Sequence, residues 1–330
     1  MKITAVYGRR GGFEGLRKPL DYLNTQSHDV YVRHEKAAAW FGMPTSGILL
    51  LDHVAAMNLG ERIIDVSVPV IIFEITDGSQ IGLRELLPYD NVRAILKRSI
   101  FKPKTLNNEV IDRYHVFLMH DQARVSNPKY KAGRPKQLTV RELDKVYPLL
   151  SFASLAGVRN LLRKEINWKE ERPIDLHFAG TTSYKKTEIE WHRKQAINAI
   201  KGWDGNKVAS SGRKMSVRAY RQQLLKTKVT LSPWGWGETC HRDFEAMLSG
   251  SVLLKPDMRH VDTWGDLFVD GETCFFCKPD LSDVRDKTQM ILDKWDSLRE
   301  MRIEAKRRVV RTADPVNIAN RLMEILKCVL

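Results

Sequence analysis

The sequence predicts an α/β chain of two doubly wound parallel sheets facing each other across a cleft. Short apolar β-like runs alternate with helical stretches, the pattern of strands joined by crossover helices. The alternation occurs twice, once in each half, and 330 residues is about two domains of typical size. The expected division is residues 1–170 and 171–330, with no internal repeat or low-complexity tract.

In the first half, "KITAVYG" predicts a strand, "RRGGFEG" a polar glycine-rich loop and "LRKPLDYLN" a helix. Further β-like runs are "DVYVRH", "GILLLDH", "VPVIIFEITD" and "YHVFLMHD", with helical character between them in "GLRELLPY". The stretch "RVSNPKYKAGRPKQ" breaks the pattern and reads as an exposed basic loop. "LTVRELDKVYPLLSFASLAGVRNLLRKEI" is expected to be largely helical, and "NWKEERP" to be a linker.

The second half restarts the alternation. "IDLHFAG" is a strand ending in glycine. "EIEWHRKQAINAIKGW" is an amphipathic helix on which Trp191, Ala196, Ile197 and Ile200 can share a face. The helix "VRAYRQQLLKT", the strand "KVTLSP", the helix "CHRDFEAMLSG" and the strand "SVLLKP" follow.

Composition narrows the partners. No stretch approaches the roughly 18 apolar residues of a membrane span, and the apolar start is too short for a signal-peptide core. The expected location is therefore the cytoplasm. The net charge of +14 is shared, with 26 Lys and Arg against 18 Asp and Glu in residues 1–170. Such a field suits nucleotide diphosphates, anionic membrane surfaces or nucleic acid, without choosing among them. The "CFFCK" pair has no second pair to complete a zinc site, so no metal site is expected.

The most informative segment is "LSPWGWGETCHRDFEAML", where a strand hands over to a helix. Ligands of open parallel sheets sit at the strands' carboxyl ends, and helix N-termini there attract phosphate. Gly235 and Gly237 let backbone approach a ligand closely. Arg242 and Glu245, three apart, share a helix face. The arginine can neutralise phosphate, and the glutamate can accept hydrogen bonds from paired hydroxyls. The structural alternative makes Trp234 and Trp236 core plugs and Glu245 a solvated side chain. Neither GxxxxGK[ST] nor GxGxxG occurs, which disfavours P-loop ATPases and ordinary dehydrogenases.

"SPWGWGETCHRDFEAMLSGSVLLKP" resembles the donor-site segment of GT-B glycosyltransferases, especially the exostosin-like and group 1 families. In those, an SP-x-G-x-G turn leads into R-x-x-EA and a short hydrophobic strand. The similarity extends over residues 174–330 and is thinner in the first half. It implies an N-terminal acceptor-binding and a C-terminal nucleotide-sugar-binding Rossmann-like domain. It also implies that Glu245 binds the donor ribose and Arg242 its diphosphate. Arg193 and His192 would add phosphate or sugar contacts, and Gly180 would give room at a strand end. The turn's Gly235, Trp236, Gly237 and Glu238 would complete the donor site. One departure stands out. Many retaining members carry two glutamates eight positions apart. Placing Glu245 as the second puts Gly237 where the first belongs, and Glu238 falls one residue late.

Glycosyl transfer needs the leaving diphosphate stabilised, and GT-B enzymes generally do this with amides and cations instead of a metal. No cofactor is expected beyond the nucleotide sugar as co-substrate. An inverting reaction needs a base for the acceptor hydroxyl. Asp77 is the leading candidate, because it follows an apolar strand and precedes a glycine. His120 and Asp121 come second and Asp52 third, each with a capping or loop role as the alternative. In a retaining reaction, Gly11 and Gly12 could line the donor–acceptor interface. The acceptor expected is a saccharide or lipid-linked glycan, reached by peripheral association with the anionic inner membrane face. The alternative is hydroxymethylated DNA, contacted through Arg134 and Lys136 in the basic loop. A third reading is a nucleic-acid-binding protein with a non-catalytic nucleotide-sensing domain.

Overall fold

The computed structural model describes residues 1–8, 15–36, 42–108, 137–149, 158–183, 187–211 and 215–330. In chain order, the first half contains β1 (Lys2–Tyr7), α1 (Arg17–Thr25), β2 (Asp29–His34), β3 (Ile48–Asp52), α2 (His53–Leu59), β4 (Val70–Glu74), β5 (Val92–Lys97), β6 (Ile100–Phe101), α3 (Val140–Leu143) and β7 (Val146–Pro148). The second contains α4 (Arg159–Leu162), β8 (Ile174–Gly180), α5 (Thr187–Lys201), β9 (Lys207–Ser211), α6 (Val217–Leu225), β10 (Thr227–Leu231), α7 (His241–Ser249), β11 (Val252–Pro256), β12 (Val261–Asp262), β13 (Phe275–Cys277), α8 (Val284–Asp293), α9 (Arg299–Thr312) and α10 (Pro315–Val329).

Both large sheets are parallel. The first runs β2-β1-β3-β4-β5-β7 and the second β9-β8-β10-β11-β13. Counted within each half, the first five strands follow the same 2-1-3-4-5 order. That order reverses direction between its first and third strands, which is where open α/β sheets bind ligands. The candidate positions are therefore the ends of β1 and β3, and of β8 and β10.

Period-2 alternation explains why the central strands β3 and β4 are buried throughout. Leu49, Leu51, Val70 and Ile72 enter one core, while Ile48, Leu50, Ile71 and Phe73 enter the core on the opposite face. Burying each such side chain stabilises the fold by about 1.5–3 kcal/mol. The second core includes α1 and also Ile318, Ala319, Leu322, Ile325 and Leu326 of α10. The chain's last helix thus returns from the second half to cover the first sheet. The halves meet again where β6 pairs antiparallel with β12.

Two expectations are corrected. "GLRELLPY" forms only a 3₁₀ turn over Arg84–Leu86, because its entry is tied to the sheet by Gly82 and Leu83 amides donating to Glu74 at 2.9 and 3.0 Å. The long helix expected from residue 138 is broken by β7, whose Val146 pairs with Ile95 and extends the sheet edge. Strands β5 and β9 carry charged residues among the apolar ones and were not among the expected runs. The "YHVFLMHD" run and the basic loop lie outside the described residues.

Candidate active site

The site is built on α7. Its preceding turn is fixed by a buried charge pair that the motif alone does not reveal. Lys255 Nζ lies 2.6 Å from Asp243 Oδ2, and both side chains are fully buried. Asp243 also accepts from Ser232 Oγ at 2.5 Å and from the Cys240 amide at 2.9 Å. Lys255 donates to the Glu238 carbonyl at 3.1 Å and sits 4.0 Å from the Phe268 ring centroid. Strand end, turn and helix start are thereby held as one unit. Gly250, at φ 73°, ends the helix in the left-handed region, which favours glycine.

The two tryptophans divide the roles foreseen for them. Trp234 is buried and packs at 5.3 Å from His192, a core plug. Trp236 lines a cleft of about 480 Å³ with Asp77, Arg98, Arg193, Arg242 and Glu245. This volume is in the range of small-molecule sites. The cleft lies where β8 and β10 end, at the second sheet's order reversal.

Arg242 is buried, stacks 4.7 Å from the Phe178 ring and donates through Nη2 to the Ala179 carbonyl at 3.2 Å. Its Nε and Nη1 are buried without a hydrogen-bond partner among the described residues. Two orphaned cationic donors at a helix N-terminus fit a phosphate oxygen. Gly180 makes this placement possible, since a Cβ there would lie 2.7 Å from Arg242 Nη2. Arg193 Nη1 donates to the Thr181 carbonyl at 2.9 Å, and its guanidinium fills the space beside Gly235. Glu245 Oε2 accepts from the Tyr220 hydroxyl at 3.0 Å. Gly237 packs against the other half so closely that a Cβ would meet the Asp77 carbonyl oxygen at 1.8 Å.

Asp77 stands in the same cleft, on the loop after β4. Arg98 donates to its Oδ1 at 2.9 Å and to its backbone carbonyl at 3.1 Å. The loop is anchored behind by buried Glu74, which pairs with Lys97 at 2.5 Å. Burial pushes the Glu74 carboxyl up, but the Lys97 charge and the surrounding hydrogen bonds outweigh it and hold it below the usual range.

Other expected contacts are corrected. His192 is not in the cleft. It is buried between Trp191 and Trp234, its Nε2 lies 3.0 Å from the Pro279 carbonyl, and burial pushes its pKa down to about 4. A neutral, enclosed imidazole is a poor phosphate ligand. Glu238 also turns away from the cleft. Its Oε2 accepts from the Ser79 amide and hydroxyl, both at 2.9 Å, so it bridges the two halves. Burial raises its pKa. Asp52 is occupied as the cap of α2, accepting from Ala55 and Gly8 amides at 2.7 and 3.0 Å. Gly11, Gly12, His120, Asp121, Arg134 and Lys136 lie outside the described residues.

Sequence reading missed Tyr220, Arg98 and the Asp243–Lys255 pair. Cys240 borders the cleft, but burial and Asp243 raise its thiol, which disfavours a thiolate. Cys274 is buried with its pKa pushed up to about 12. Among the described residues, no group of three or more His, Cys, Asp or Glu could hold a metal ion, and no helix is long and apolar enough to cross a membrane.

No protein-family model and no curated protein matches the chain. Solved structures do. A sucrose-phosphate synthase from Thermosynechococcus elongatus superposes with a TM-score of 0.52 at 10 % identity, over 99 % of this chain and 98 % of the other. OtsA in its apo form gives 0.51 at 10 % identity, over 99 % of each chain. An alpha-glucosyltransferase solved with UDP-glucose and DNA containing an abasic site gives 0.50 at 12 % identity, again over 99 % of each. The fold is therefore GT-B, with two Rossmann-like sheets.

Proposed function

We propose that this GT-B chain is a glycosyltransferase that moves a sugar from a nucleotide-sugar donor to a hydroxyl acceptor. The observation that carries the reading is Arg242, with two orphaned buried donors at the start of α7, one helical turn from Glu245 in the same cleft. In this reading Arg242, Arg193 and the helix N-terminus stabilise the charge growing on the leaving diphosphate, without need of a metal. Glu245 accepts from the ribose hydroxyls. Asp77, gripped by Arg98 and reaching the cleft from the first sheet, receives the acceptor proton if the anomeric centre inverts. Residues 1–170 then serve the acceptor and 171–330 the donor, with α10 as the returning strap. A second cleft of about 540 Å³, bordered by Val6, Glu35, Asn58 and Arg62 in the first half, offers polar groups suited to a saccharide. The resemblance of the turn's sequence is the ground for proposing an exostosin-like subtype.

The test is calorimetry against common nucleoside diphosphates and nucleotide sugars in the presence of EDTA. One of them should bind, and Arg242→Ala should weaken it by about 1.5–3 kcal/mol. Glu245→Gln should weaken a ribonucleotide while leaving folding intact. No binding by the parent, or unchanged binding by both variants, would refute the proposal. A glycan acceptor is the first reading. The basic stretch holding Arg134 and Lys136 motivates a second, transfer to hydroxymethylated bases in duplex DNA. Label moving from donor to such DNA, and to no glycan, would decide for it.

A further inference from the structure

Arg242 and Glu245 have opposite charges and lie three residues apart on one helix face, the spacing at which such pairs join directly. A direct pair would consume the groups proposed to bind diphosphate and ribose. Among the described residues they form none. The Tyr220 hydroxyl of α6 donates to Glu245 Oε2 at 3.0 Å, and the Arg242 charge acts on the same phenol. The direction is forced, because a carboxylate only accepts and a phenol that keeps its proton donates it.

We infer that Tyr220 is a positioning residue that keeps Arg242 and Glu245 from neutralising each other, so that both stay available to a nucleoside diphosphate. The inference rests on the donor-site reading above and adds the device that holds the site open. Three features of the surroundings support it. Tyr220 borders the cleft together with Arg242 and Glu245. Burial and the Glu245 charge raise its pKa, so the phenol keeps the proton it donates. The His177 ring, 5.8 Å away, packs against it from β8, and burial pushes that imidazole's pKa down to about 4, so it brings no competing charge. Arg242 meanwhile keeps Nε and Nη1 uncommitted, which a direct bond to Glu245 would change.

The mechanism predicts a reversal that a merely structural tyrosine would not give. The probe is inorganic pyrophosphate, measured by calorimetry beside UDP, because pyrophosphate has no ribose and reports the Arg242 side alone. In Tyr220→Phe the hydroxyl is gone, Glu245 reaches Arg242, and pyrophosphate binding should weaken roughly tenfold, as for loss of one charged contact. Glu245→Gln alone should leave pyrophosphate binding unchanged or tighten it. In Tyr220→Phe/Glu245→Gln no carboxylate remains to capture Arg242, and pyrophosphate affinity should return to within about twofold of the parent. Recovery in the double variant also shows that the phenylalanine is tolerated by the fold. Parent-like pyrophosphate binding by Tyr220→Phe, or a double variant no better than Tyr220→Phe, would overturn the inference while leaving the donor site standing. A parent protein that binds neither pyrophosphate nor UDP would overturn the donor reading and this inference with it.

Discussion

Adding one methyl group at Gly180 should weaken the proposed donor site without unfolding the protein. Gly180 ends β8 outside the left-handed backbone region, so alanine is acceptable to the main chain. The obstacle is Arg242, whose Nη2 would lie 2.7 Å from the new Cβ, with Phe178 Cζ at 3.3 Å. Ordinary contact begins near 3.4 Å, so the guanidinium must retreat by about 0.7 Å. It then leaves the hydrogen bond to the Ala179 carbonyl and its stacking on Phe178. Moving a charged donor off its line costs a share of the roughly 1.5–3 kcal/mol that such a bond contributes. We expect donor affinity to fall about tenfold, or about 1.4 kcal/mol. Calorimetry with the bound nucleotide measures this, and a melting curve should shift little. The control is the Arg242→Ala background, where there is no guanidinium to displace and Gly180→Ala should have almost no further effect. Full affinity in Gly180→Ala, or an equal loss in both backgrounds, would refute the reasoning.

Three other perturbations act on the scaffold. Lys255→Met leaves Asp243 charged and fully buried, and should cost about 3–5 kcal/mol in chemical denaturation; a loss under 1 kcal/mol would mean the turn is not held by this pair. Gly237→Ala puts a Cβ 1.8 Å from the Asp77 carbonyl oxygen, so the halves must part, and the radius of gyration by X-ray scattering should rise. An unchanged radius and melting temperature would contradict that close approach. Glu238 has its pKa raised by burial, so the folded state binds its proton more tightly than the unfolded state does. Its ionisation therefore erodes stability as pH rises from the ordinary glutamate value near 4.5 through its folded pKa. Glu238→Gln keeps an acceptor for Ser79, so its advantage over the parent should be absent at pH 4 and grow toward neutrality, and a constant difference across that range would count against the assignment.

The second half was more legible than the first, for a local reason. Strand, turn, helix and strand follow one another within "VTLSPWGWGETCHRDFEAMLSGSVLLKP", and the structure places Arg242 and Glu245 together in the cleft as their spacing required. Asp77 was also visible, because a strand ending before a glycine marks its own carboxyl end. Its partner Arg98 was not, since 21 residues separate them and only the parallel pairing of β4 with β5 joins them. The bridge from Glu238 to Ser79 spans 159 positions and has no local signature at all. Tyr220 lies on a helix that the sequence predicts, yet its meeting with α7 depends on how two helices rotate when packed on the same sheet. The tryptophans show the same limit within a few residues. The sequence allows either two core plugs or a turn that holds a ligand, and only the turn's backbone decides that Trp234 goes inward and Trp236 to the cleft.

The glycines of this site have a use different from the one their sequence context suggested. The sequence suggests room for a ligand, yet the space beside Gly180 holds Arg242, that beside Gly235 holds Arg193, and that beside Gly237 holds the Asp77 backbone. Two missing side chains are thus replaced by guanidinium groups, and the third by the opposing half of the molecule. Cations held this way are aligned before any donor arrives, by stacking, carbonyl acceptors and buried packing. Electrostatic catalysis depends on charges that need no reorganisation as the transition state forms. A donor entering this cleft would therefore meet arginines already in place, and each glycine contributes by allowing a charged neighbour to occupy the volume that a Cβ would fill.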